Sequence, residues 1–120
     1  MTKPNVIAEG VELDLAAADR ELRAEDAYQR DGHTARTLIR EPTMRIVLVV
    51  MRAGGKMAEH RTQDTASIYA ISGTVRLVLP TRTVELQAGR LLVIPPGLTH
   101  DVEAVGDSAF LLTLAREAQP

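Results

Sequence analysis

The pattern of apolar and polar positions changes at Gly32 and divides the chain into two parts. Residues 14–31 are rich in Ala, Leu, Glu and Arg and contain no glycine or proline, which is the composition of a helix. Asp14 or Asp19 is suited to capping the start of this helix, and Gly32 stands where a left-handed residue commonly ends one. The apolar stripe is thin, so we expect the helix to lie on the outside of the fold.

After Gly32, short β-rich runs follow one another and are separated by turn residues. They predict strands at residues 35–40, 44–51, 56–61, 66–72, 74–79, 83–86, 90–94, 100–104 and 109–115. Many short strands with regular turns are typical of an all-β sandwich or barrel. Because no helix pattern interrupts them, the pattern argues against a parallel α/β sheet.

Two of the predicted strands are apolar on both faces. Residues 46–51 and 109–112 carry only apolar side chains. A strand in a two-sheet sandwich has an inner and an outer face, and an apolar outer face needs a cover. Either the N-terminal helix or a second subunit would supply this cover, and we expect a homodimer.

Composition narrows the classes of function. The 120 residues are the size of one domain and include no cysteine, which excludes disulfides, thiolate nucleophiles and cysteine-based zinc sites. The formal charge is −2 and only two Tyr and one Phe are present, so we expect no nucleic-acid partner. The N-terminus lacks an apolar signal-peptide core and no apolar run could span a bilayer, so we expect a soluble, cytoplasmic protein without a membrane partner.

Two stretches, residues 54–73 and 89–104, carry a regular spacing of glycine, proline and histidine. They resemble the two conserved motifs of the cupin superfamily, G-x5-H-x-H-x(3,4)-E-x6-G and G-x5-P-x-G-x2-H-x3-N. The glycines, the proline and the spacing match, as do His60 in the first motif and His100 in the second. The resemblance implies a small single-domain protein: an arm and helix over residues 1–34, an antiparallel jelly-roll barrel over 35–116, and a tail over 117–120.

The resemblance also implies a metal site, held in the family by both histidines and the glutamate of the first motif and by the histidine of the second. The matching positions here are His60, Thr62, Ala66 and His100. Threonine is a poor ligand for a divalent transition metal, and alanine cannot be one. Because metal sites of this kind need at least three protein ligands, we favour a protein without a cofactor. The alternative is a divalent ion such as Fe, Mn, Ni or Zn at His60 and His100.

A metal at these two histidines would need further ligands. Asp64 has the same strand parity as His60 but sits in the turn that follows, and Gln63 lies beside it. Glu59 and Asp101 directly flank the histidines, so strand alternation points them to the opposite face. We expect His33 to be an exposed turn residue.

The histidine pair is equally suited to the polar end of a small-molecule pocket. We predict that this pocket is lined by His60, Thr62, Ala66, Ile68, Ala70 and His100. The favoured hypothesis is a module that binds a small molecule of unknown identity there without a full metal site. The alternatives are a metal-dependent cupin enzyme of the dioxygenase or isomerase class, and a dimerisation domain with a relic pocket. No residue is assigned a catalytic role.

Overall fold

The computed structural model describes residues 7–117, so the outer ends of the predicted arm and tail, residues 1–6 and 118–120, lie outside the described residues. Two short helices, α1 (Leu15–Arg23) and α2 (Asp26–Asp31), precede nine strands. The strands are β1 (His33–Glu41), β2 (Met44–Met51), β3 (Lys56–His60), β4 (Thr65–Ser72), β5 (Thr74–Val78), β6 (Thr83–Gln87), β7 (Leu91–Ile94), β8 (His100–Ala104) and β9 (Ser108–Ala115). Each lies within two residues of its predicted bounds.

The single helix predicted over residues 14–31 is wrong, because the chain breaks between α1 and α2. The start is as predicted, with the Asp14 carboxylate accepting a hydrogen bond from the Ala17 amide at 2.9 Å. Leu22 and Tyr28 are both buried against the sheet. In one continuous helix these two side chains, six residues apart, would point in directions that differ by about two-thirds of a turn. The extended backbone at Glu25 restores the alignment, and Gly32 ends α2 in the left-handed conformation.

The strands form two antiparallel sheets packed as a jelly roll. The order is β1-β2-β9-β4-β7 in the five-stranded sheet and β3-β8-β5-β6 in the four-stranded sheet. Over residues 7–117 the two sheets are not hydrogen-bonded into a closed barrel. Alternate residues of each strand point into the space between them, where the main core forms. The predicted all-β jelly roll is therefore confirmed.

The helices cover part of the outer face of the five-stranded sheet. Ala18, Leu22 and Tyr28 form a second core with the outward side chains of Leu48 and Val50. This explains why β2 and β9 are apolar on both faces. The cover does not extend to the far edge of the sheet, where Tyr69, Leu91 and Val93 remain exposed. No helix within residues 7–117 is long and apolar enough to cross a membrane.

Candidate functional site

A cavity of about 240 Å³, here called the inner cavity, lies between the two sheets. Its polar side chains come from β2, β8 and the chain around the end of β3. Most of its apolar side chains come from alternate positions of β9 in the five-stranded sheet and from β3 and β8 in the four-stranded sheet. The lining residues are Arg45, Val49, Met57, His60, Arg61, Thr62, Ile68, His100, Val102, Phe110, Leu112 and Leu114.

His60 and His100 face each other across the β3–β8 pair, with ring centroids 6.1 Å apart. A β-bulge makes this possible. Between the pair Met57–Val102 and the pair His60–His100, β3 advances by three residues and β8 by two. Without the extra residue, strand alternation would turn His60 to the face opposite Met57. The bulge therefore directs His60 toward the cavity, where His100 already points because it shares the face of Val102.

The ring of His100 is held in one tautomer. This side chain is buried, and its Nδ1 lies 3.0 Å from the carbonyl oxygen of Leu98. A carbonyl oxygen can only accept, so Nδ1 carries the proton and donates it. In the neutral ring Nε2 is then a lone-pair acceptor, free to take a hydrogen bond from a ligand or to coordinate a metal.

His60 keeps contact with solvent, but its surroundings disfavour its charged form. Burial of part of the ring lowers the pKa of His60 below the ordinary value of 6.5, and the nearby His100 and His33 act in the same direction. Asp101 opposes this shift more weakly. The lowered pKa of His60 favours its neutral form at pH 7.

Four of the six predicted pocket residues line the inner cavity: His60, Thr62, Ile68 and His100. Ala66 and Ala70 belong to the packed core and lie outside the cavity lining. The reason is their pairing with β9, which sets Leu114 opposite Ala66 and Phe110 opposite Ala70. These large neighbours occupy the space that the alanines leave open.

The acidic candidates do not complete a set of metal ligands. Asp64 is buried and accepts a hydrogen bond from Nε of Arg116 at 2.9 Å, and its backbone amide donates to the Thr62 hydroxyl at 3.2 Å. Within the part of the chain whose side chains are described, no three His, Asp or Glu residues are close enough to share a metal ion. Two imidazoles alone do not fit the three-ligand or four-ligand sites of the family.

His33 is not the exposed turn residue that was expected. It is the first residue of β1 and is half-buried opposite Met51, which packs in the main core. Directly paired residues point to the same side of a sheet, so His33 faces inward. Its Nδ1 is buried without a hydrogen-bond partner among the described residues. His33 does not line the inner cavity.

A second cavity of about 350 Å³, the outer cavity, adjoins the inner one. Arg45, Arg61, Thr62 and Leu114 line both. Neither Arg45 nor Arg61 was among the predicted pocket residues. For Arg45, the alternation of residues along β2 could have predicted an inward side chain, because Arg45 shares the inward face of Val47 and Val49.

Two packed antiparallel sheets, with a histidine pair in the cavity between them, define a jelly-roll protein with an internal site. The model of the cupin-domain family matches residues 47–115, more than half of the chain. The chain therefore belongs to the cupin family, and the resemblance seen in its two motifs is confirmed.

Solved structures share the fold over most of this chain. A conserved protein of unknown function from Streptococcus pyogenes is 24% identical with a TM-score of 0.76, covering 99% of this chain and 98% of that one. A cupin superfamily protein from Desulfitobacterium hafniense is 13% identical with a TM-score of 0.73, covering 96% and 97%. A salicylate 1,2-dioxygenase from Pseudaminobacter salicylatoxidans is 18% identical with a TM-score of 0.78, covering 92% of this chain and 36% of that one. These likenesses show the fold alone, and the comparison with curated proteins gives no match.

Proposed function

We propose that this cupin-domain protein binds a small molecule in the inner cavity without a full metal site. The observation that carries the proposal is the shape and chemistry of that cavity. Apolar side chains such as Phe110 and Leu112 line it, and His60 and His100 are among its polar groups. Ligand sites commonly combine apolar walls with a few placed polar groups. The volume of about 240 Å³ lies below the roughly 300–1,000 Å³ typical of drug-sized ligands, so the ligand is small.

The two histidines of the cavity, His60 and His100, offer different hydrogen-bonding groups. His100 presents Nε2 as an acceptor because Leu98 fixes the proton on Nδ1. The lowered pKa of His60 favours its neutral form at pH 7, in which the ring offers one donor and one acceptor. A ligand with a hydroxyl or similar donor beside its apolar body matches this pair.

A fragment screen followed by NMR tests the proposal. Fragments added at about millimolar concentration, the weak-binding end of the affinity scale, should shift the backbone amides of Val102, Phe110 and Leu112. Val102→Phe adds volume at the cavity wall and should abolish these shifts. Val84→Phe, on β6 and outside the cavity lining, is the matched control. Dispersed amide spectra of both variants would show that they fold, and a screen in which no fragment shifts the cavity amides would refute the proposal.

The alternative is a metal-dependent enzyme that uses His60 and His100. One observation favours it: a histidine whose Nδ1 donates to a backbone carbonyl is oriented as metal-binding histidines usually are. The set of ligands argues against it, since two of the family's four are missing. Elemental analysis of the untagged protein beside the His60→Ala/His100→Ala double variant separates the two proposals. Near one equivalent of Fe, Mn, Ni or Zn that disappears in the variant would favour the enzyme.

We also propose that the protein is a homodimer joined through the uncovered edge of the five-stranded sheet. Tyr69 pairs with Leu91 there, and Val93 lies on the same outward face. These side chains are 41%, 58% and 57% exposed, and such a contiguous apolar face marks an interaction surface. Val93→Glu should yield a monomer by light scattering. Val105→Glu, at a position that is 48% exposed in the turn before β9, should not, and a monomeric parent protein would refute the proposal.

A further inference from the structure

The geometry points to an anion-binding subsite where the inner and outer cavities meet. We propose that Arg45 and Arg61 bind the head group of a small organic anion, a carboxylate or a phosphate, whose apolar body lies in the inner cavity. This inference rests on the proposed small-molecule function and adds the chemical class of the ligand.

The two arginines reach the junction from different sheets. Arg45 is on β2 of the five-stranded sheet, and Arg61 follows β3 of the four-stranded sheet. Both side chains line both cavities. A head group at the junction therefore meets a lining that includes both arginines, and guanidinium groups match carboxylate and phosphate geometry with paired donors.

The charge around the outer cavity is unbalanced in favour of an anion. Arg45 and Arg61 both line this cavity, and among the described residues neither is in an ion pair. Four arginines line the outer cavity against two carboxylates, Glu41 and Asp64. Asp64 is already paired with Arg116 at 2.9 Å. The positive charges of Arg45 and Arg61 thus remain for a bound anion to offset.

The apolar side chains of the inner cavity indicate that the ligand also has an apolar body. The inner cavity that the arginines line is also lined by the apolar side chains of Val49, Ile68, Phe110 and Leu112. These side chains make no hydrogen bonds, so a fully polar ligand such as inorganic phosphate would leave them in contact with water. An anion with an apolar body satisfies both regions at once.

Titration calorimetry at low ionic strength, with hexanoate, hexyl phosphate and hexanamide as probes, tests the subsite. At least one anion should bind about tenfold or more tightly than the neutral amide, because hydrogen bonds to charged groups are the stronger ones. Arg61→Gln, at an exposed position that folding tolerates, should reduce this preference, and Arg45→Gln should reduce it further. Arg82→Gln, an exposed arginine in the β5–β6 hairpin, is the matched control and should leave it unchanged.

The outcomes of these experiments distinguish the anion subsite from the proposed binding of a small molecule in the inner cavity. Equal affinity for hexanamide and both anions would overturn the anion subsite while leaving small-molecule binding intact. A preference for anions that survives both Arg45→Gln and Arg61→Gln would overturn the assignment of these residues. If no probe binds but neutral fragments shift the cavity amides, the anion subsite alone fails, and if neither binds, both proposals fail.

Discussion

Gly73, the last glycine of the first motif, should tolerate no side chain. It joins β4 to β5 with φ of 70°, in the left-handed region. A Cβ built there would collide with the carbonyl oxygen of Asp107 and lie 2.8 Å from Cβ of Ser108. Gly89, the first glycine of the second motif, has φ of 90° but no atom within 4 Å of such a Cβ. The two glycines therefore share the backbone conformation and differ in their surroundings.

This difference gives the expected magnitudes. Alanine in the left-handed conformation costs about 1–2 kcal/mol, which Gly89→Ala and Gly73→Ala should both lose from the free energy of unfolding. Forcing a methyl group against packed backbone costs about 1–3 kcal/mol more, and this applies only to Gly73→Ala. The total for Gly73→Ala is then about 2–5 kcal/mol.

Urea denaturation followed by circular dichroism measures both variants. With a denaturant dependence of about 1–3 kcal/mol per molar, the extra loss at Gly73 should lower the unfolding midpoint by about 1 M relative to Gly89→Ala. Equal losses would refute the close approach of the β4–β5 turn to Asp107. An unchanged Gly89→Ala would refute the conformational part of the reasoning.

Three further predictions concern the helices and the histidine pair. Asp14→Ala should lower the free energy of unfolding by about 1 kcal/mol in urea denaturation, because the Ala17 amide loses its acceptor. Leu22→Ala should lower it by about 2–5 kcal/mol, since this side chain is fully buried between α1 and the sheet. His60 should titrate below 6.5 by NMR. Between its pKa in the folded chain and its pKa in the unfolded chain, the unfolded chain binds more protons, so the free energy of unfolding falls as the pH drops below about 6.5. His60→Gln should remove this pH dependence.

The strands could be predicted from the sequence because their signals are local. Alternation of apolar side chains and the turn residues between runs fix where each strand begins and ends. The motif spacing then identified the family. The break between α1 and α2 could not be predicted in this way, because residues 14–31 contain no helix-breaking residue. It follows from the packing of Tyr28 on the sheet, which is a tertiary effect.

The candidate site was predictable only where it depends on a single strand. His60, Thr62, Ile68 and His100 follow from motif and parity, although the bulge that directs His60 inward leaves no mark in the sequence. The exclusion of Ala66 depends on which residue of β9 lies opposite, and that register is set between strands far apart in sequence. The parity of β2 places Arg45 on the inward face, but its meeting with Arg61 depends on how the two sheets pack.

The charge of the site links the missing metal ligands to the proposed ligand. A divalent ion between His60 and His100 would lie in a cavity also lined by Arg45 and Arg61, without the carboxylate that the family supplies. Like charges repel each other, so these arginines disfavour a bare cation. The same charges favour an organic anion. Metal binding at the histidines and anion binding at the arginines therefore oppose each other, unless one ligand carries the negative charge that both require.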